Sequence, residues 1–362
     1  MALRLRHLNV ALVGASLLTI LLAACSGGSS TIPQGAEATS QAAAHQTFGQ
    51  GATSITSGSA LRVIHITDAD RIAVASHGPL LRHVSPVASA KTGQAGSRTT
   101  PSAVHGSDVQ YFGGALLQNA KVYNAYVDSI PSTFGNFAQF ETNLSRSSMI
   151  HITDEYVHTT ANNRYPWGGD VRVDYPAIAT LGDNDLLLII HAVAKGVAGG
   201  GYHNLYNIFL PPGINYCDPT GACNASPTVP TVAFCAFHGS VTFNDVGNVV
   251  FAFDPYPFAQ FCNVDHFAAH PNAPTPNGLQ QDIVYNVASH EEFESITDPN
   301  PPSGWVNPFP FYSFEIGDLC AYIPGPFVNG VAVPVNSILN GKAYRLQFEY
   351  SNKQIGCANT PP

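Results

Sequence analysis

Ser289 to Pro299 reads SHEEFESITDP and brings His290, Glu291 and Glu294 close together on any helix they share. An imidazole and a carboxylate four residues apart lie on one helical face and reach a single divalent cation. A Glu directly after the imidazole turns beside it, where it can take a proton from an attacking water. Two ligands from one helix leave an ion half held, so a third must come from elsewhere. Further on, FEIGDLC holds two more acids, Glu315 and Asp318. A set of His290, Glu294 and Glu315 makes a Zn²⁺ site formally neutral, so the ion is a weaker Lewis acid than with two imidazoles. The oxygen-rich set also admits Mn²⁺ or another hard divalent ion. The competing interpretation of the same spacing is an i,i+4 His–Glu salt bridge.

The element that must position these groups is the run NGLQQDIVYNVASHEEFESITDP. Ile283, Val287, His290 and Glu294 fall at i, i+4, i+7 and i+11, one stripe of one helix. Asn277 is placed to cap its start, and Asp298-Pro299 stops it. Glu292 and Ser295 are expected on the opposite face, towards solvent. Upstream, QYFGGALLQNAKVYNAYVDS suggests strands joined around Gly113-Gly114. STFGNFAQFETNL has the aromatic spacing of a helix starting near Ser132. DLLLIIHAVAK reads as a buried strand in which His191 is a satisfied core histidine. YNIFLPPG and VVFAFDPY read as two more strands. LRVIHITDADRIAVASHG holds one or two short strands, either docked on the main domain or belonging to a removable segment.

The chain opens with a basic start, an apolar core and Leu22-Ala23-Ala24-Cys25, which resembles a bacterial lipobox. This implies residues 1–24 as a lipoprotein signal peptide and Cys25 as the lipidation site, with attachment to the bacterial cell envelope (the outer membrane if Gram-negative). Residues 25–60 read as a Ser/Thr/Ala/Gly tether, 61–109 as a poorly defined segment and 110–360 as the compact domain. The formal charge of -9, with only 15 Lys and Arg, supplies no basic patch and argues against nucleic acid. The membrane is reached through the lipid anchor. Six further cysteines, Cys217, Cys223, Cys235, Cys262, Cys320 and Cys357, suit three disulfides in an oxidising compartment. Of the possible connectivities, sequence proximity favours 217–223, 235–262 and 320–357. No C-x-x-C pair favours a Cys-ligated zinc.

With these residues in view, SHEEF resembles the H-E-x-x-H helix of the zincin hydrolases, with Glu294 in place of the second His. Glu315 and Asp318 resemble the downstream acid pair of the gluzincin branch, at a spacing one residue shorter. ASHEEFESITDP, then Gly304-Trp305, then EIGDLC resembles the core of the EXORDIUM-like, or phosphate-induced, secreted proteins. YFGGALLQNAKVYNAYVDS, FCAFHGS, Cys262 and KAYRLQFEYSNKQIGC follow in that family's order, over roughly residues 110 to 360. Glu292 and Phe293 depart from its usual Leu-Ala. The resemblance implies that Glu294 belongs to the pattern, and it brings His238 forward as a cleft candidate. His203, His266 and His270 read as loop histidines. The fold class expected is α+β: a zincin-like mixed sheet with a backing helix and an active-site helix, and a loop-rich, disulfide-stapled C-terminal part. The function expected is an exported lipoprotein with a metal-dependent, peptidase-like site acting on a polypeptide or cell-wall substrate. In that site Glu291 is the base, His290, Glu294 and Glu315 the ligands, and Asp318 the outer support. The alternative is a non-catalytic cell-surface binding protein that keeps a structural metal or salt bridges. No G-x-S-x-G elbow supports a serine hydrolase, whereas glycoside hydrolysis by two carboxylates, such as Glu291 with Asp318, leaves no local motif.

Overall fold

A computed structural model of the chain describes residues 61–86, 108–176, 178–229, 231–264, 273–308, 314–328 and 331–362. The leader, the tether and Cys25 lie outside the described residues, as do His266 and His270. Among the described residues no helix is long and apolar enough to cross a membrane.

The protein is α+β around one mixed sheet. Its strands are β1 (Arg62–His65), β2 (Leu81–Pro86), β3 (Lys121–Val127), β4 (Trp167–Asp174), β5 (Asn204–Phe209), β6 (Cys223–Asn224), β7 (Val232–Phe243) and β8 (Gly247–Asp254). The order across the sheet is β1-β4-β3-β5-β8-β7-β2, with β6 also paired to β7. Pairing is parallel from β1 through β8, then antiparallel for β8–β7 and β7–β2.

Two-residue alternation sends each strand's side chains to two apolar layers. Ala125, Val127, Tyr206, Ile208, Phe251 and Phe253 pack with α1 (Asp68–Val74) and α3 (Asp183–Val197). Val122, Tyr126, Leu205, Phe209 and Val250 pack with α2 (Phe137–Leu144) and α4 (Leu279–Thr297). The α4 side of the sheet also carries a buried polar seam of Asn124, Asn207, His238, Ser240 and Asp254. A helix laid over such a seam must bring polar groups of its own, and α4 does so in its second half.

Several expectations are corrected here. DLLLIIHAVAK lies in helix α3, not a strand; a short continuous apolar run looks the same in either state. The helix start is fixed by Asp185, whose carboxylate accepts the Gly182 N–H at 2.9 Å. Gly113-Gly114 do not turn a hairpin, because Gln110–Tyr111 pairs with Trp305–Val306 while β3 joins the main sheet. A Cβ on Gly114 would lie 2.2 Å from Ser303 Oγ, so this glycine serves a close backbone approach. The aromatic helix begins at Phe137 under an Asn136 cap, after a 3-10 turn over Ser132–Phe134. Residues 61–86 are docked: β1 and β2 are opposite ends of the sheet, and between them DADRIAV forms a helix capped by Thr67. On α4 the N-cap is Gly278, and Asn277 instead donates to the Asp282 carboxylate. Glu292 and Ser295 are buried, because α4 is enclosed on every side from Asp282 to Thr297.

The cysteines pair as Cys217–Cys223, Cys235–Cys262 and Cys320–Cys357, the pairing that proximity favours. The last two bond the site's surroundings together: one backs the cleft and the other anchors the turn that carries Glu315 and Asp318.

Candidate metal centre

Four pieces of chain meet beneath β7. Helix α4 contributes His290, Glu291 and Glu294, β7 contributes His238, the turn before Cys320 contributes Glu315 and Asp318, and β2 contributes His83. His83 faces His238 directly across the antiparallel pair, with ring centroids 5.7 Å apart. Gly317 lets the turn approach the helix, since a Cβ there would lie 2.8 Å from Glu294 Oε1 and 2.9 Å from His290 Nδ1. The Asp318 N–H donates to Glu294 Oε1 at 3.0 Å, and the Glu315 N–H donates to Asp318 Oδ2 at 3.2 Å. The Gln347 amide donates to the Gly317 carbonyl and sits 2.9 Å from His290 Nδ1, which fixes that ring.

Three imidazoles and three carboxylates alternate in a closed ring. Glu294 spans His290 and His238, with Oε1 at 3.2 Å from His290 Nε2 and Oε2 at 3.4 Å from His238 Nδ1. Glu315 spans His238 and His83 at 3.6 and 3.5 Å. Asp318 closes the ring between His83, at 2.5 Å, and His290, at 3.6 Å. Glu291 stands beside the ring with Oε2 at 3.4 Å from His238 Nδ1. Every member is buried, apart from a small exposure of His83.

Burial and charge oppose each other in this ring. Burial disfavours a charged His290, but Glu294, Asp318 and Glu291 outweigh it and raise its pKa well above the usual value. Burial likewise opposes the charged form of His238, yet hydrogen bonds to Glu291 and Glu294 push it up to about 10. His83 is raised too, against burial, by Asp318 and Glu294. Glu294 is held well below the carboxylate range, because His290 and then His238 beside it overcome its burial. Glu315 goes well above it, through burial and then through Asp298, Glu294 and Asp318.

The donor set fits a divalent cation. Among the described residues three overlapping triads have ligand atoms within 4.8 Å of one another: His83, Glu294 and Asp318; His238, Glu294 and Glu315; His290, Glu291 and Glu294. Glu294 is common to all three. Glu294 Oε2, both Glu315 oxygens and Asp318 Oδ1 are buried without a hydrogen bond and meet only the ring imidazoles, at 3.4–3.6 Å, a costly state for acceptors. Ligand atoms in a tetrahedral zinc site with 2.0–2.2 Å bonds stand about 3.3–3.6 Å apart. The His–carboxylate separations of 3.2–3.6 Å at His290 and His238 are close to that edge and long for charge-assisted hydrogen bonds.

The sequence-based set is therefore brought into one neighbourhood but not into one triad: His290 and Glu294 share one, whereas Glu315 joins Glu294 through His238. Asp318 lies inside the ring. His83 escaped the sequence reading, because nothing around LRHVSP marks it and only the pairing of β2 with β7 delivers it. His191 is buried between Asp70, at 2.8 Å, and Asp245, at 2.9 Å, far from this chemistry in role, and His203 is exposed. Glu292 turns from the ring to Glu141, where burial raises both acids, Glu292 to about 7.

A cleft reaches the ring between the Cys235–Cys262 disulfide, Asn286, Tyr322 and Gln347, and is floored by His290, Glu291 and Asp318. Its free volume of about 20 Å³ holds roughly one water or one ion. No family model, curated protein or solved structure matches the chain.

Proposed function

We propose that the chain is a metal-dependent hydrolase whose divalent cation, zinc or manganese, is held at Glu294 by the imidazoles flanking it and by the acids Glu315 and Asp318. The observation that carries this reading is the ring itself: Glu294 offers its two oxygens to two different imidazoles, while Glu291 lines the cleft. When bound, the ion supplies Lewis-acid polarisation and a more acidic water. Glu291, next to His290 on α4, then accepts the proton of the attacking water. His238 is itself aligned by its Nε2, 3.1 Å from the Asp298 carbonyl oxygen. The three disulfides suit an oxidising, extracytoplasmic compartment. We place the protein there as a lipoprotein anchored through Cys25, with a zincin-like, EXORDIUM-like domain acting on a polypeptide or cell-wall substrate.

The test is a Glu291→Gln variant, assayed with casein and with peptidoglycan beside the wild-type protein. It should keep its metal, measured by elemental analysis, and lose hydrolysis. Equal hydrolysis in the variant would remove Glu291 as base, and a metal-free, inactive wild type would remove the reading. A second reading, a structural cation in a binding protein, is favoured by the smallness of the cleft. It predicts metal-dependent stability with no turnover.

A further inference from the structure

The ring offers more than one ion can use. A zinc ion takes four ligands, and a catalytic one takes three from the protein. Here three imidazoles and three carboxylates are all turned inwards, with Glu291 as a fourth acid beside them. Two of the ligand triads, His83–Glu294–Asp318 and His238–Glu294–Glu315, have only Glu294 in common. Its two oxygens point apart: Oε1 accepts the Asp318 N–H and faces His290, whereas Oε2 faces His238 and has no hydrogen bond. A carboxylate so divided has one oxygen to offer to each of two ions.

We propose that the ring is a binuclear centre for two divalent transition-metal ions bridged by the Glu294 carboxylate, with His83 from the N-terminal strand among its ligands. This rests on the metal-dependent reading above and extends it from one ion to two. The first position has His83, Asp318 and Glu294, with His290 beside it, 3.2 Å from Glu294 and 3.6 Å from Asp318. The second has three, His238, Glu315 and Glu294, with Glu291 beside His238. Formal charge points to the same number. Counting the four acids Glu291, Glu294, Glu315 and Asp318 alone, against neutral imidazoles, one divalent ion leaves two negative charges uncompensated and two ions leave none. A buried site tolerates an uncompensated charge poorly. The oxygens of Glu315 and Asp318 that lack hydrogen bonds are distributed one acid to each position, so each ion would satisfy acceptors that otherwise meet only imidazoles at 3.5–3.6 Å. Occupancy requires the imidazoles to lose their protons, so binding releases protons into solution.

The experiment is metal stoichiometry on the full chain, stripped with chelator and titrated with Zn²⁺, then repeated with Mn²⁺ under electron paramagnetic resonance. Wild type should take up two equivalents, and the Mn²⁺ form should show the coupled spectrum of a carboxylate-bridged pair. His83→Ala should retain one equivalent and give the signal of an isolated ion. One equivalent in the wild type overturns the binuclear centre and leaves the hydrolase reading intact; two equivalents without any turnover do the reverse. No uptake overturns both. Two equivalents in a folded His83→Ala remove His83 from the site, and if that variant does not fold, the wild-type spectrum alone decides, an uncoupled signal counting against the bridge.

Discussion

Replacing Gly317 with alanine would put a methyl carbon 2.8 Å from Glu294 Oε1 and 2.9 Å from both Cε1 and Nδ1 of His290. Ordinary contact for such atoms begins near 3.5 Å, so the neighbours must retreat by roughly 0.6–0.7 Å. Neither is free to do so. Glu294 Oε1 is held by the Asp318 N–H at 3.0 Å, and His290 Nδ1 faces the Gln347 amide at 2.9 Å. Relief must therefore come from movement of the turn, which carries Glu315 and Asp318 away from the imidazoles. Overpacking of this kind costs about 1–3 kcal/mol of stability, and loosened support of ligands costs about 10- to 100-fold in metal affinity. Urea unfolding with chelator present reads the first quantity, and calorimetric zinc titration reads the second. Gly356→Ala is the control, because its nearest neighbour would be 3.9 Å away; it should stay within about 0.5 kcal/mol of wild type. A Gly317→Ala protein with unchanged urea midpoint and unchanged zinc affinity would refute the close approach of turn and helix on which the site is built.

Removing the Cys320–Cys357 bond with a double Ser substitution frees a loop with a sequence separation of 37, which costs about 4 kcal/mol by loop entropy. Chemical denaturation should show that loss together with weaker metal uptake, since the same turn bears Asp318. His191→Gln separates α3 from Asp70 and Asp245 and should destabilise by on the order of 2 kcal/mol. Asp70 is buried, which raises its pKa, but bonds from Thr67 and His191 bring it below its usual value. Asp245 is lowered chiefly by its His191 bond. Depressed acids stabilise above their unfolded pKa and lose that contribution as pH falls through the folded one. The His191→Gln deficit, measured by urea unfolding, should therefore be full at pH 6 and shrink below about pH 3.9. Glu141→Gln acts in the other direction. Glu141 is raised by burial and by Glu292, so the wild type loses stability as pH rises above the ordinary carboxylate range. The variant should gain on it between pH 5 and pH 8 in thermal melts.

Local chemistry was legible in the sequence wherever the partners are near in the chain. The stripe from Ile283 to Glu294 announced α4, and the i,i+4 pair announced the closest His–carboxylate contact on that helix, because helical neighbours are fixed by spacing alone. Disulfide pairing followed proximity for the same reason. What the sequence hid depends on distant chain. His83 reaches the ring only because β2 adds antiparallel to β7, a pairing that no local pattern specifies. Helix α3 carries so continuous an apolar run that its period is masked, and its capping acids Asp183 and Asp185 were the better signal. Glu292 read as a solvent-facing residue because its buried partner, Glu141, comes from α2.

Whether a cation occupies the ring at Glu294 decides between a metal centre and a salt-bridge network. Anomalous diffraction at the zinc edge, from crystals grown with zinc, tests this directly. The predicted result is a peak about 2.0–2.2 Å from a Glu294 oxygen and from the imidazole nitrogen facing it. An empty ring, with the His290–Glu294 and His238–Glu294 separations still at 3.2 and 3.4 Å, would contradict it. The cluster would then be a salt-bridge network that holds α4 to the sheet.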